Sequence, residues 1–430
     1  MTLPAASPFS ETSSVLTLAL LLVAPLAIAG LSLINNGLGR SRSAAQAMLG
    51  SLLTLSVAAI VFALVGATFA DGAFGPGHLF HLAGKPWNWA GTGPFALTGL
   101  AHAPAHAQCV LLFECLSVAL MVLIPWSSGA DRWRLVAGAA AAALLAAIVF
   151  PLVAYWTWGG GWLTQLGQNF SIGNGFLDVG GAGTIHLLGG LSALAIVWIA
   201  GPRRGKFPKE GLSTAIPGHN APFVLFGCLV ALVGWLAWNL AGALLWLNAA
   251  PATLPLTAVN TLLSAASALA ATFVVTQARF GKPDASLCAN GWLAGLVTSS
   301  ACASLVSPLE AVFAGAIAGI LTPLLVEFLE LAVSIDDPSG AISVHGAGGL
   351  WGLFVVGFFA AGRGQFTAQL IGIATLLGLV FPFLYLVFSL LNRFVPFRVD
   401  PDGERIGMDL HELGGGAYPE FVVHRDDSYR

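Results

Sequence analysis

The chain has 430 residues, of which 57% are hydrophobic and only 9% are charged, whereas about a quarter of the residues in soluble proteins are charged. This composition excludes an ordinary soluble protein and indicates a polytopic membrane protein. The 17 Lys and Arg residues, against 20 Asp and Glu residues, form no basic block. A nucleic-acid partner is therefore not expected.

Apolar stretches long enough for the about 20 residues of a membrane-crossing helix recur along the whole chain. The first follows residues that include Glu11 but no Lys or Arg, so it lacks the basic start of a signal peptide and is interpreted as a retained span. The eleven predicted spans lie at about 15–34, 45–70, 109–125, 134–156, 180–200, 222–248, 254–277, 285–306, 309–333, 341–362 and 367–393.

Basic residues predict the direction of these spans, because short cytoplasmic loops collect Lys and Arg. If the N-terminus is outside, every Lys and Arg except Lys85 and Arg363 falls on the inner side. The sequence therefore predicts a multi-pass protein of the cell (inner or plasma) membrane, with residues 1–393 in the transmembrane domain. Residues 394–430 are predicted to form a cytoplasmic C-terminal tail.

One pattern occurs twice in the chain: Asp, seven residues, His, two residues, Gly-Gly. The first copy contains Asp178 and His186 in span 5, and the second contains Asp337 and His345 in span 10. Each copy ends a set of five spans, an odd number, so the two copies have opposite directions in the membrane. They indicate an inverted repeat.

The predicted fold is thus an all-α bundle with two inverted repeats, at about 14–200 and about 222–362, and a peripheral eleventh helix at about 367–393. In such a repeat, matched residues meet near the middle of the membrane. We therefore expect His186 and His345 to be neighbours.

Ionisable side chains inside a membrane are costly and by default mark a functional pathway. Two neutral imidazoles can each donate and accept a hydrogen bond and can share a proton, while low-dielectric surroundings disfavour a charged ring. Such a pair suits a small, weakly basic solute that sheds its proton, crosses uncharged and has the proton relayed separately. A purely structural hydrogen bond and a metal site are the alternatives, although the sequence offers no third ligand nearby.

An outer vestibule is predicted from the direction of the spans. Span 3 starts outside, which places Phe113, Glu114 and Ser117 in its first turns, and Trp158 lies in the next outer segment. A Trp face attracts cations by about 0.5–2 kcal/mol. Interfacial anchoring is the alternative role for Trp158.

Three more residues complete the predicted pathway. Asp178 precedes His186 by eight residues, which is about 12 Å along a helix and places the carboxylate towards the outer face. Span 6 ends outside, so Trp238 is expected in its outer half and Trp235 one turn deeper.

These residues resemble the ammonium transporter family, which includes the Rhesus proteins, and the similarity covers nearly the whole chain. The matching motifs are Gly37-Leu-Gly-Arg40, Asp131-Arg132-Trp-Arg134, Trp158-Gly-Gly-Gly161, Asp178 through Lys206, Pro217-Gly-His-Asn220, Gly234-Trp235 to Asn239, Asp336 through Trp351, and the Gly-Met-Asp-Leu tail. The resemblance implies a homotrimer with one pore and one histidine pair per subunit, and a cytoplasmic face that docks a PII-type regulatory protein.

The chain departs from the family pattern at the outer gate. Ser117 stands where the family usually has a second Phe, Trp238 matches that Phe's stacking partner, Gly242 matches the cation-binding Ser, and Glu114 replaces a Gln. We expect Trp238 to lean into the space left at Ser117 and its indole N–H to reach the Ser117 hydroxyl. Glu114 is expected either to hold the incoming cation or to be a solvated charge on the outer rim.

The sequence therefore predicts transport of ammonium and ammonia, with no enzymatic activity, cofactor or metal. One alternative is an ammonium receptor or sensor with little flux, which would need a separate signalling partner because only about 37 residues follow the last predicted span. The other is a pore for a different neutral molecule such as carbon dioxide, which would not need a cation-attracting mouth.

Overall fold

The computed structural model describes residues 9–70, 79–210 and 213–418. Within these ranges, ten helices are long and apolar enough to cross a membrane. An eleventh, less apolar helix lies between the seventh and the eighth of them. In chain order, and called spans 1 to 11 below, the helices are Glu11–Leu38, Ser41–Ala70, Ala105–Ser128, Leu135–Thr157, Ala182–Ala200, Ala221–Leu247, Pro251–Phe280, Ala285–Cys302, Pro308–Leu331, Ile342–Phe359 and Gln365–Phe394.

Span 8 is less apolar because it is enclosed by other helices rather than by lipid. Its side chains Asn290, Thr298, Ser299 and Ser300 are all buried. The Thr298 hydroxyl donates to the Gly348 carbonyl of span 10 at 3.2 Å. Polar groups that find such partners inside a bundle are tolerated at membrane depth, so the predicted span 285–306 exists as a shorter, internal helix.

A small β-hairpin adds to the predicted all-α fold. Strands Leu79–Leu82 and Lys85–Asn88 pair antiparallel. The turn between them uses Ala83 and Gly84, both with positive φ (52° and 71°), which is the geometry of a two-residue hairpin loop. The hairpin lies between spans 2 and 3, where the sequence predicted only a loop.

The packing of the spans repeats with the period expected of two inverted halves. Span 2 packs against spans 3 and 4, and span 7 packs in the same way against spans 8 and 9. Span 3 also contacts span 5, as span 8 contacts span 10. Matched helices meet across the halves, since span 1 lies along span 6 and span 5 crosses span 10.

A buried ion network joins loops at one end of the two halves, the end predicted to be cytoplasmic. Arg203, which follows span 5, donates to both carboxylate oxygens of Asp336 at 2.9 Å and reaches Asp131 Oδ2 at 3.1 Å. Arg40 also pairs with Asp131, at 2.9 Å, and Arg132 donates to the Asp336 carbonyl at 3.0 Å. Burial alone would raise the pKa of Asp336, but its hydrogen bonds from Arg203 and the charge of Arg132 lower that pKa to about 2.

The described part of the tail, up to residue 418, packs against the starts of the spans. The Asp409 carboxylate accepts from the backbone N–H of Gln46 at 2.8 Å, at the beginning of span 2. The Glu412 carboxylate accepts from the N–H of Leu135, the first residue of span 4, at 3.1 Å. Carboxylates at these positions satisfy helix N–H groups that have no partner within the helix. Residues 419–430 of the predicted tail lie outside the described residues.

Candidate functional site

Asp178 caps the start of span 5 instead of lying within a helix. Its Oδ2 accepts hydrogen bonds from Gly183 N at 3.0 Å and from Thr184 N and Oγ1 at 2.7 Å. Span 5 begins only at Ala182, after Gly181 with φ of 88°. The predicted 12 Å helical separation of Asp178 from His186 is therefore wrong, because residues 178–181 are not helical.

Asp337 has the equivalent position in the second half. Its Oδ2 accepts from Ile342 N at 2.7 Å, at the first residue of span 10. The acceptor and donor are five residues apart, as they are for Asp178 and Gly183. In both aspartates, the other carboxylate oxygen, Oδ1, is buried and has no hydrogen-bond partner in the described part of the chain. The aspartate of the repeated pattern is thus a helix cap in both halves.

His186 and His345 are neighbours, as the inverted repeat predicts. Their Nδ1 atoms lie 3.2 Å apart, and the ring centroids are 5.2 Å apart with an interplanar angle of 23°. Both side chains are buried. Since two nitrogens at this distance share one hydrogen, one ring donates and the other accepts. Within the described residues, no cluster of three His, Cys, Asp or Glu side chains is placed to hold a metal ion.

The Gly-Gly pairs of the two patterns allow this close crossing. A Cβ on Gly190 would lie 2.4 Å from the Gly346 backbone, and a Cβ on Gly349 would lie 2.3 Å from the Ala182 carbonyl oxygen. Real Cβ atoms do not approach other atoms so closely, so only glycine fits at either position. The spacing of His to Gly-Gly is therefore explained by the backbone contact between spans 5 and 10 that brings the imidazoles together.

Trp235 supports the histidine pair from span 6. Its indole stacks on His186 with centroids 5.2 Å apart and an angle of 14°, and its Nε1 donates to Ser300 Oγ at 2.9 Å. The hydrogen bond fixes the indole plane, and the plane fixes the imidazole beside it. Trp235 thus lies beside the histidine pair. The sequence predicted only that it is one turn deeper than Trp238, and it did not predict the contribution of Ser300 from span 8.

The predicted outer residues meet in an aromatic cluster. Phe113 lies 5.4 Å from Trp158 and 5.3 Å from Trp238, centroid to centroid. The Trp158 indole N–H donates to the Asp178 carbonyl at 2.6 Å, which ties the cluster to the start of span 5. Phe113, Trp158 and Trp238 therefore form one group, on the side of the histidine pair that is predicted to face outward.

One predicted contact within this group is wrong. The Ser117 hydroxyl donates to the Phe113 carbonyl of its own helix at 2.7 Å, and the Trp238 N–H is buried without a hydrogen-bond partner among the described residues. Trp238 nevertheless faces the bundle, since it is buried and packs on Phe113. A serine inside a helix satisfies its hydroxyl on the preceding turn, so it does not need the indole.

Glu114 is not a solvated charge on the outer rim, because only 1% of it is exposed. Of the two expected roles, the solvated rim charge is therefore wrong, and Glu114 is a buried carboxyl beside Phe113.

Gly242 is explained by a close backbone contact: a Cβ there would lie 2.4 Å from the Val179 carbonyl oxygen. The serine of the family pattern does not fit against this backbone.

Sequence reasoning missed Trp246, the fourth member of the cluster. Its ring stacks on Trp158 with centroids 5.3 Å apart and an angle of 4°, and it lies 5.7 Å from Phe113. A signal was present, because positions 238, 242 and 246 follow each other every four residues and share one face of span 6. We call Phe113, Trp158, Trp238 and Trp246 the outer aromatic cluster.

The inverted halves, the buried histidine pair between them and the aromatic cluster beside the start of span 5 define a helical membrane transport protein. The profile of the Ammonium Transporter Family matches residues 14–418. Ammonium transporter Amt2 of Archaeoglobus fulgidus is 32% identical over 415 residues, which cover 92% of this chain and 85% of that protein. The chain belongs to the Ammonium Transporter Family, as its motifs predict.

Solved structures agree with this assignment. One described as "Sensor Amt Protein" is similar with a TM-score of 0.84 and 27% identity, covering 93% of this chain and 98% of that one. The crystal structure of Candida albicans Mep2 is similar with a TM-score of 0.79 over 96% of this chain and 91% of that one. At 24% identity, the second similarity indicates a shared fold.

Proposed function

We propose that the chain transports ammonium by separating each ion into ammonia and a proton, which cross the pore by different routes and recombine inside. The observation that carries this proposal is the buried histidine pair, with Nδ1 atoms 3.2 Å apart, in a member of this family. We infer no enzymatic reaction.

The outer aromatic cluster is the proposed point of entry. Aromatic faces attract a cation, and the buried Glu114 beside Phe113 adds a negative or proton-accepting group to the same region. Asp178, which orients Trp158 through its backbone carbonyl, contributes a structural and electrostatic role. These groups favour a cationic solute over carbon dioxide, which gains nothing from them.

The histidine pair is the proposed proton route. One N–H bond of ammonium breaks, its electron pair stays on nitrogen to give ammonia, and the proton passes to an acceptor in the vestibule. The shared hydrogen between His186 and His345 lets a proton enter at one ring while another leaves from the second. Ammonia passes the apolar pore and takes up a proton on the inner side, so the net movement is one ammonium ion. Potassium has no proton to give and gains nothing from this relay.

Orientation, assembly and regulation belong to the same proposal. The basic residues at the inner ends of the spans support a cytoplasmic C-terminus in a cell membrane. We infer a homotrimer and a PII-type partner from the family pattern. The tail supports the second inference, because it covers the starts of spans 2 and 4 on the proposed cytoplasmic face.

The test is electrical. Purified protein in liposomes on a solid-supported membrane is challenged with an ammonium gradient and then with an equal potassium gradient. We expect a current with ammonium and none above protein-free liposomes with potassium. A protein that binds ammonium without current is a receptor, and equal currents for both ions would contradict the proton-separating mechanism.

Filling the space at Ser117 is expected to reduce this current. Ser117 is fully buried, so Ser117→Phe forces a ring against Phe113 and Trp238, and such overpacking costs about 1–3 kcal/mol. Thermal unfolding in detergent and the ammonium current measure the two effects. Ser117→Ala is the matched control, since it removes only a hydroxyl bonded to its own helix. Equal currents in the two variants would show that the Ser117 site does not restrict the mouth.

A further inference from the structure

Trp246 occupies the place that a cation would take on Trp158. A cation bound to an aromatic face lies within about 6 Å of the ring centroid. The Trp246 centroid already lies 5.3 Å from that of Trp158, with the rings parallel to within 4°. A ring and a cation cannot share this space, so one face of Trp158 is closed to ammonium in the observed arrangement.

The backbone explains why Trp246 lies there. Span 6 approaches residues 179–180 so closely that Gly242 has no room for a side chain. One helical turn further outward, the same face of span 6 presents Trp246. The close contact at Gly242 thus brings the outer end of span 6 towards the start of span 5, where the Trp246 ring packs on Trp158.

The two stacked rings are held very differently. Trp158 donates its N–H to the Asp178 carbonyl at 2.6 Å. The N–H of Trp246 is buried and has no partner in the part of the chain that the structure describes, and an unmet buried donor disfavours the position that buries it.

The location of Trp246 in its helix also allows movement. Trp246 is half-buried and lies in the last turn of span 6, which ends at Leu247 before Asn248 with φ of 47°. The last turn of a helix opens more readily than its centre. Trp246 is therefore the ring that can leave the stack.

We propose that Trp246 is an outer gate, which covers the cation-binding face of Trp158 at rest and moves aside when ammonium enters. This inference rests on the proposed transport function and adds a residue that sets apparent affinity and size selectivity at the mouth. Ammonium has to compete with the indole for the Trp158 face. Amines larger than ammonium require a greater displacement of Trp246 and are excluded more strongly.

The test compares Trp246→Ala and Trp246→Phe with the unmodified protein. Ammonium binding is measured by titration calorimetry in detergent, and currents for ammonium and methylammonium are measured in liposomes. We expect Trp246→Ala to lower the half-saturating ammonium concentration about two- to tenfold, the equilibrium factor that matches the strength of a stacked aromatic pair, and to raise the methylammonium current relative to the ammonium current. Trp246→Phe, with a smaller ring, should lie between.

Trp162→Ala is the matched control. Trp162 is also an outer, half-buried Trp whose N–H has no partner among the described residues, but it contacts Trp156 instead of the outer aromatic cluster. We expect it to leave affinity and selectivity unchanged. Thermal unfolding of each variant identifies a folding defect, and Trp246→Phe retains a ring that fills most of the site.

The binding and current measurements separate the two proposals. Tighter ammonium binding in Trp246→Ala supports the gate, even if neither the unmodified protein nor the variant conducts ammonium. The absence of current in both would mean that the transport proposal fails. Weaker binding in both Trp246 variants would overturn the gate and make Trp246 part of the cation site. Unchanged binding and selectivity, with normal ammonium current, would overturn the gate and leave the transport proposal standing.

Discussion

Replacing either His186 or His345 by alanine is expected to abolish the ammonium current. The two Nδ1 atoms lie 3.2 Å apart in a buried site, so each ring has the other as its partner for the shared hydrogen. Removing one leaves a single imidazole with nowhere to pass a proton. The double variant should lose little more than either single one, because residues that act as a unit are not additive. Currents from liposomes with equal protein content measure all four combinations.

His102→Ala provides the control for this series. His102 lies exposed in the segment before span 3, away from the pair, and its replacement should leave the current intact. Partial currents in both single variants, with losses that multiply in the double variant, would mean that the rings act independently. The proton relay would then be the wrong description of the site.

The histidine pair could be predicted because its evidence is periodic and repeated. Composition predicts the spans, basic residues predict their direction, and an odd number of spans, five, in each repeat predicts the inversion. The meeting of His186 and His345 follows from that symmetry. The Gly-Gly pairs were also visible as part of the pattern. The structure adds the reason for them, which is the close backbone contact at Gly190 and Gly349.

Local backbone geometry could not be predicted in the same way. The apolar run around Asp178 suggested a continuous helix. Instead, the Asp178 carboxylate accepts hydrogen bonds from the N–H groups of Gly183 and Thr184, so the helix starts only after Asp178. Trp246 was missed for a related reason. Its packing on Trp158 depends on how closely span 6 approaches residues 179–180, a distance that no sequence pattern contains.

The buried ion network was also beyond sequence reasoning. Asp131, Arg203 and Asp336 come from three separate loops, and each alone looks like an ordinary charge at the end of a span. Only the folded chain shows that all three side chains are nearly fully buried. A charge at the membrane surface is usually solvated by water, whereas these buried side chains pair with each other instead.

Arg203→Met is therefore expected to be among the most destabilising single changes in the chain. The substitution keeps most of the side-chain volume but leaves Asp336 and Asp131, each 1% exposed at the side chain, without the guanidinium that bridges them. Breaking a buried ion pair by removing one partner costs about 3–5 kcal/mol. The expected result is a marked fall in the thermal unfolding midpoint in detergent, with reduced yield of folded protein.

Arg204→Met tests whether the effect depends on the buried bridge or on positive charge at this loop. The Arg204 side chain is 56% exposed and lies 3.6 Å from the buried carboxylate of Glu404, which keeps Arg398 as a closer partner at 2.8 Å. The loss of Arg204 is therefore expected to cost much less than the loss of Arg203. Equal destabilisation by both changes would contradict the bridging role of Arg203.

Acid provides a second measurement. Burial alone would raise the pKa of Asp336, but Arg203 and Arg132 lower it from 3.8 to about 2. A carboxyl with a lowered pKa stabilises the fold above its unfolded pKa and loses that contribution as pH falls towards its folded pKa. Unmodified protein should thus lose stability between about pH 4 and pH 2. Arg203→Met should lose less over the same interval, since its Asp336 has already lost one of the two arginines that lower its pKa and keeps only Arg132.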